Sequence, residues 1–304
     1  MGRDVTETRM TAVNKRKPEV SIIGTGRLGT ALAIALATEG YSINALIARR
    51  RENARRAASL LALPTRVMAV KELAESPAPA VLLIATPDDQ IASVAEMLAR
   101  LDWSTPRTPT VVHTSGALSS DVLTPLRKKG WSTGSLHPLV SVSEPKAGAG
   151  LLRNAFWCVE GDKRAVRMAR AIVRDLDGKS FSISSDKKPL YHAAAVMASG
   201  NVTALFDVAL EMLEQCGLTR SHSRQVLLPL LASAVRNLEE MDTSPALTGT
   251  FARGDVETVK RHLEVLKSNK AALEFYRLLG RRSLELAAAR LDPAVVKRIR
   301  RLIG

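Results

Sequence analysis

Gly24-Thr25-Gly26-Arg27-Leu28-Gly29 follows an apolar run at 19–23 and precedes a stretch of helical periodicity that closes at Gly40. Three glycines at this spacing, between a strand and a helix, constrain the fold more than any other feature of the chain. Gly24 permits a tight turn, Gly26 lets backbone N–H groups approach a pyrophosphate, and Gly29 lets the helix lie close on its sheet. The helix N-terminus then adds positive potential where phosphates would sit. The loop Gly24, Thr25, Gly26, Arg27, Leu28 and Gly29 is therefore expected to bind a dinucleotide. The alternative is a glycine-rich turn that binds nothing.

The chain beyond Gly40 has the rhythm of a doubly wound sheet. Residues 42–48 read as a second strand, 52–61 as a charged helix and 66–70 as a short third strand. Residues 80–85 are apolar throughout, as a parallel strand covered on both faces is. Pro87 and Asp88 open a helix to 101, Pro in its first turn and Asp88 as cap. A strand at 110–113 and a short helix at 121–128 come next. The alternation continues less regularly through 156–159, 164–175 and 181–184. From Pro189 the character changes: 189–216 reads as one long helix closed by Gly217, and the remainder as helix to the end. The expected fold is α/β, an N-terminal doubly wound (Rossmann) parallel sheet followed by an all-α C-terminal domain. The expected boundaries are a disordered basic tail over 1–18, a nucleotide-binding domain over 19–184 and a helical domain over 185–304.

The cofactor is read at the end of the second strand. About 20 residues beyond Gly29, where an acid would take a ribose 2′-hydroxyl, stands Ala48-Arg49-Arg50-Arg51, with no acid before Glu52. Arg49 and Arg50 would make charge-assisted bonds to a 2′-phosphate, which favours NADP(H). Arg51 reads as the start of an exposed helix. Thr86 and Pro87 at the end of the fourth strand, with His113 and Ser115 at the end of the next, are expected to flank the nicotinamide.

Composition narrows the partners. With 304 residues, 46% of them hydrophobic and 24% charged, the chain suits two globular domains. Aromatic residues at 4% argue against a protein that stacks nucleic-acid bases. No unbroken apolar run approaches the roughly 18–20 residues of a membrane span, and the first eighteen residues carry no signal-peptide core. Met1-Gly2 with Thr6 fits a loose myristoylation pattern that nothing else supports. Cys158 and Cys216 read as reduced thiols, and five histidines without a His-Glu-x-x-His pattern suggest no metal. The net charge of +14 is placed partly in Arg3, Arg9, Lys15, Arg16 and Lys17, and partly in Lys297, Arg298, Arg300 and Arg301. Such runs are usually solvated, and no groove-reading motif accompanies them. The expectation is a cytoplasmic protein with a small-molecule substrate, no specific nucleic acid and no membrane.

Several motifs together resemble a Rossmann-like oxidoreductase family whose helical C-terminal domain is of unknown function. The family is distantly similar to pyrroline-5-carboxylate reductase and to deazaflavin-dependent NADP oxidoreductases. The resemblance rests on the glycine loop, His113-Thr-Ser-Gly-Ala-Leu, Gly134-Ser-Leu-His-Pro-Leu, Leu190-Tyr-His-Ala-Ala-Ala, Ala198-Ser-Gly-Asn, Ala246-Leu-Thr-Gly and Ala252-Arg-Gly-Asp. It implies the two-part architecture, a nicotinamide cofactor and a homodimer built through the helical domain. The chain departs from the proline-forming enzymes at two places. Ala198-Ser199-Gly200-Asn201 stands for their Ser-Gly-Ser-Gly-Pro-like stretch, and Leu247-Thr248-Gly249-Thr250 for their Thr-x-Pro-Gly-Gly-Thr. Both departures argue against proline formation.

Candidate chemistry falls mainly on the long helix. On an ideal helix, Lys188, His192 and Ser199 lie at about 0°, 40° and 20°, one stripe. Polar groups among Ala193, Ala194, Val196 and Met197 are costly to bury unless paired, and ligand contact would explain them. The alternative is a solvated Lys188, with His192 and Ser199 bonded inside a helix interface. His137, in a loop after the sixth strand-like segment, would protonate a substrate oxygen or nitrogen, or else sit in the core. Asp255 reads as the cap of a helix carrying Val256, Val259, Leu263 and Leu266. Arg253 has no such role and would clamp a carboxylate. The expected function is an NADP(H)-dependent oxidoreductase that passes hydride between nicotinamide and a small anionic imino or carbonyl compound in the cleft between the domains. His192 or His137 would handle the proton, with Ser199 and Arg253 positioning substrate. The alternative is a non-catalytic NADP(H) sensor, and a third reading passes electrons to a deazaflavin or flavin.

Overall fold

The computed structural model describes residues 17–101, 103 and 108–304. Of the expected tail, residues 1–16 lie outside the described residues, and with them the myristoylation pattern and Arg3, Arg9, Lys15 and Arg16. Lys17 is tied down: its Nζ donates to the Glu39 carbonyl at 2.6 Å and pairs with Asp175 at 3.2 Å.

The chain forms two compact units, the first ending at Val196 and the second running from Met197 to Gly304. The first is built on an eight-stranded sheet: β1 Val20–Ile23, β2 Ile43–Ala48, β3 Arg66–Ala69, β4 Val81–Ile84, β5 Thr110–His113, β6 Ser132–Pro138, β7 Phe156–Gly161 and β8 Lys179–Phe181, in the order β3-β2-β1-β4-β5-β6-β7-β8. Strands β1 to β6 pair in parallel, β7 runs antiparallel to β6, and β8 is parallel to β7. The helices are α1 Arg27–Thr38, α2 Arg51–Ala58, α3 Asp88–Arg100, α4 Thr124–Arg127, α5 Pro145–Leu152, α6 Lys163–Asp175 and α7 Lys188–Ala198. Ile22, Leu46 and Leu83 share a core with Leu32, Leu36 and Ile172 on one face of the sheet. Ile23, Leu82 and Ile84 pack with Ile91, Ala95 and Leu98 on the other. Cover on both faces is why these strands are apolar without alternation.

The second unit holds α8 Gly200–Gln215, α9 Arg220–Glu240, α10 Thr243–Ala246, α11 Val256–Val265, α12 Lys270–Ala287 and α13 Pro293–Ile303. Its core gathers Val259, Leu263, Leu284, Ile299 and Ile303. By contrast α8 buries only Leu210, and α9 only Ser223.

Several expectations change. The helix expected over 189–216 is two helices, interrupted at Ser199, where φ −129° and ψ −76° leave the helical region. His137 lies on β6 itself, paired opposite Cys158 of β7, and not in a loop after the strand. The expected boundary at 184/185 falls short of the division between the units, because α7 belongs with the sheet. Finally, the stretch 185–215 contains a window of mean hydropathy 1.5, long and apolar enough by composition to cross a membrane. The alanine, leucine, valine and methionine content of α7 and α8 supplies that value, which a search for unbroken apolar runs overlooks.

Candidate functional site

The glycine loop has the geometry its chemistry requires. Gly24 adopts φ +99°, and a Cβ there would lie 2.5 Å from the Ala85 carbonyl. A Cβ on Gly29 would collide with the Gly24 carbonyl oxygen, so this glycine sets how closely α1 meets the strand end. Around Gly26 the opposite holds: a Cβ would meet nothing within 4 Å. That open face belongs to a groove of about 600 Å³ lined by Gly24, Gly26, Arg49, Asn53, Thr86 and Pro87. Thr86 Oγ1 is buried there without a hydrogen-bond partner, a polar atom that needs one. An open backbone cradle, an arginine and an orphaned hydroxyl fit a phosphorylated dinucleotide.

The other expected cofactor residues divide. Thr25 also lines the groove. Arg27 is exposed, and Leu28 packs partly against the sheet core. Arg50 occupies the N-cap position of α2 without capping it, and Arg51 pairs with Glu72 at 3.2 Å beside a separate groove shared with Arg66.

His113 and Ser115, expected beside the nicotinamide, are internal. His113 is fully buried; its Nδ1 accepts the Ser115 N–H at 3.2 Å, and its Nε2 lies 3.2 Å from the Ser119 carbonyl. Burial, reinforced by the charge of Lys188, pushes its pKa down to about 3. The Ser115 hydroxyl donates to Asp88 at 2.8 Å and accepts the N–H groups of Ala117 and Leu118. Asp88 is thus no cap. It is the first residue of α3, Pro87 holds the cap position, and its carboxylate anchors the loop after β5.

That loop supports a second cluster. Lys188 is not a solvated helix start: it is 0% exposed, and its Nζ donates to the Ser115 carbonyl at 2.9 Å and to Ser135 Oγ at 2.8 Å. Ser135 donates in turn to the Ser115 carbonyl at 3.3 Å. Burial lowers the Lys188 pKa, opposed by the negative potential of Cys158, Glu160 and Asp88. On the next turn, Tyr191 OH lies 2.7 Å from His137 Nδ1, and the His192 ring stands edge-on to that of His137 at 5.7 Å. Burial, then Lys188 and His192, push His137 down to about 4. Burial raises Tyr191 above its ordinary value. A Cβ on Gly116 would collide with the His192 ring and reach within 2.8 Å of His137 Nε2. The structure therefore brings together Lys188, His192 and His137 of the residues singled out in sequence, and adds Tyr191 and Gly116. Tyr191 was findable: it lies three residues after Lys188, on the same side of the helix.

Ser199 and Arg253 lie in the second unit. Ser199 is exposed at the helix break, its carbonyl accepting the Thr203 N–H at 3.1 Å. Arg253 is exposed, its backbone N–H donating to Gly249. Asp255 caps α11, accepting from the Thr258 N–H at 3.0 Å and the Thr258 hydroxyl at 2.7 Å. Among the described residues no group of three His, Cys, Asp or Glu side chains could hold a metal ion.

Two family models match the chain: a Rossmann-like domain over residues 5–138 and a domain of unknown function, DUF2520, over 155–283. No curated protein matches it in sequence. A protein of Thermotoga maritima of solved structure is 25% identical, with a TM-score of 0.68 over 89% of this chain and 99% of that one. A Bacteroides fragilis protein provisionally described as an NADP oxidoreductase is 23% identical, TM-score 0.73, over 89% and 99%. A pyrroline carboxylate reductase of Plasmodium falciparum with NADP bound is 13% identical, TM-score 0.57, over 95% and 99%. The last two are likenesses of fold.

Proposed function

Because the chain joins a Rossmann-like domain to a DUF2520 domain, we propose an oxidoreductase that uses a nicotinamide dinucleotide, NADP(H) in preference to NAD(H), to transfer hydride to or from a small anionic carbonyl or imino compound. The observation that carries this reading is the groove over Gly26, open where a pyrophosphate needs backbone N–H groups and lined by Arg49 and Thr86. Loop amides and the N-terminus of α1 hold the pyrophosphate. Arg49, with Asn53 one turn into α2, holds the 2′-phosphate, while Arg50 and Arg51 contribute less. Thr86 Oγ1 finds its missing partner on the ligand. The bound dinucleotide supplies the hydride chemistry.

His137 and His192 handle charge at the reacting heteroatom, and Lys188 ties α7 to the loop after β5 and to β6 through Ser115 and Ser135. Ser199 and Arg253 are the helical unit's own candidates for contact with an anionic group. That unit also forms a homodimer, a reading supported by Leu230 and Leu238 of α9, 66% and 55% exposed. The protein works in the cytoplasm.

Titration with NADPH and NADH, read by tryptophan fluorescence and thermal shift, tests the proposal. NADPH is expected to bind more tightly than NADH. Arg49→Ala should lose about tenfold in NADPH affinity, as one charge-assisted hydrogen bond implies, and leave NADH unchanged. Binding of neither nucleotide would sink the reading, whereas binding without turnover of any carbonyl or imino acid would favour a sensor.

A further inference from the structure

Asn53 borders the dinucleotide groove with Arg49, and its amide is held in one orientation. Arg56, one turn further along α2, donates from Nη2 to Asn53 Oδ1 at 2.8 Å. A guanidinium has donors and no acceptor, so only the oxygen end of the amide can face it. Arg56 does not itself line the groove. Nδ2 keeps two N–H groups with no partner among the described residues. What Asn53 can offer a ligand in the groove is therefore a pair of donors.

The rest of the lining agrees. Arg49 also only donates, and no aspartate or glutamate lines the groove. Glu72, just beyond β3, is engaged by Arg51 and by the Ala69 N–H, beside the separate groove. A 2′-phosphate only accepts hydrogen bonds, whereas a ribose 2′-hydroxyl also has a hydrogen to donate. Donors alone satisfy the phosphate and leave the hydroxyl's hydrogen without a protein partner.

We propose that Arg56 is a positioning residue for cofactor choice: by holding Asn53 Oδ1 it makes the asparagine a donor, which favours a 2′-phosphate and disfavours a 2′-hydroxyl. The proposal rests on the reading of the groove as a dinucleotide site and deepens it, since it names how NADPH is preferred and NADH refused. The charge of Arg49 attracts the pyrophosphate of either nucleotide as well as the 2′-phosphate. The fixed amide adds a discrimination that charge alone lacks. Without Arg56 the amide can turn, and Oδ1 becomes the acceptor that a 2′-hydroxyl needs.

Fluorescence titration of the full-length protein with NADPH and NADH at about 0.5 M salt tests this, because a Debye length of about 4 Å screens remote charge. Arg56→Ala should weaken NADPH about threefold to fivefold and tighten NADH about twofold to threefold, within what one hydrogen bond carries. The opposite signs are the signature. Loss of a positive charge weakens both nucleotides, and a disordered helix moves both the same way. Arg56→Lys keeps a donor for Oδ1 and should retain the wild-type preference. With Asn53→Ala already in place, Arg56→Ala should change neither affinity. Both side chains are exposed, so melting temperatures without nucleotide should stay within about 1 °C of the wild type. NADH binding that is unchanged or weaker in Arg56→Ala overturns the proposal, as does a further change on the Asn53→Ala background. A wild type that binds neither nucleotide removes the dinucleotide reading and this proposal with it. A wild type that prefers NADPH, with Arg56→Ala indistinguishable from it, removes this proposal alone.

Discussion

The glycine-loop groove and the imidazole–lysine cluster lie in the same unit but are built in different ways. The groove takes its lining from short stretches, 23–26, 48–53 and 85–94, each at or just beyond the end of a strand. The cluster joins Asp88, Ser115, Ser135 and Lys188, from four elements or loops, through hydrogen bonds spanning 20 to 73 residues, with His137 bonded to Tyr191 beside them. Open space shapes the first, whose central glycine has nothing before it. Internal packing shapes the second, where Ser115, Ser135 and Lys188 are buried and bonded to one another. A position packed against the protein cannot change without cost to the fold; one that faces open space can.

Two alanines would sharpen that contrast. Gly29→Ala drives a methyl into the Gly24 carbonyl. Overpacking against backbone costs about 1–3 kcal/mol or more, so the melting temperature should fall by roughly 2–10 °C and nucleotide binding with it. Gly26→Ala puts the same methyl into open space. Its melting temperature should stay within about 1 °C of the wild type while dinucleotide binding falls at least tenfold. If Gly26→Ala still binds NADPH normally, the pyrophosphate does not lie over that loop, and the groove has another purpose.

The same difference explains what the sequence could reveal. The glycine loop, the arginines after β2 and the Thr86-Pro87 turn are local signals whose meaning comes from the strand before them, and the parallel strands were legible because burial on both faces removes alternation. Lys188 was not legible as a buried group: a lysine before a proline at a helix start reads as solvated, and only the return of α7 to β5 and β6 supplies its oxygens. His113 and Ser115 were misplaced for the matching reason. Position at a strand end suggests ligand contact, yet their hydrogen-bonding capacity is taken up by neighbours that a linear reading cannot pair. Nor could period alone show the break at Ser199.

Acid should expose the cluster's internal character. His113 has a folded pKa near 3 against an ordinary 6.5, so between those values the unfolded chain binds the extra proton, and stability rises with pH. The contribution is complete above about pH 6.5 and is lost as pH falls towards 3, on the order of 4 kcal/mol in all. His137 adds a smaller loss between about 6.5 and 4, reduced by its partial exposure. Urea midpoints measured from pH 7 down to about 4 should fall steadily, and His113→Gln should remove about one proton from that slope. An unchanged slope would mean that His113 is protonated in the folded protein, which its acceptance of the Ser115 N–H forbids.

The smallest effect concerns the three arginines, and it tests whether the groove reads its ligand as sharply as the fold suggests. Arg49 lines the groove, Arg50 begins α2 from an exposed position, and Arg51 spends its guanidinium on Glu72. If placement decides, Arg50→Ala should weaken NADPH binding only through long-range charge, about twofold at low salt and less once salt screens it. Arg51→Ala should change affinity no more than that, since its guanidinium is engaged by Glu72 in a solvent-screened pair away from the groove. A loss at Arg50 as large as at Arg49 would show that both guanidiniums turn onto the phosphate when it binds, so that the free groove understates the site by one arginine.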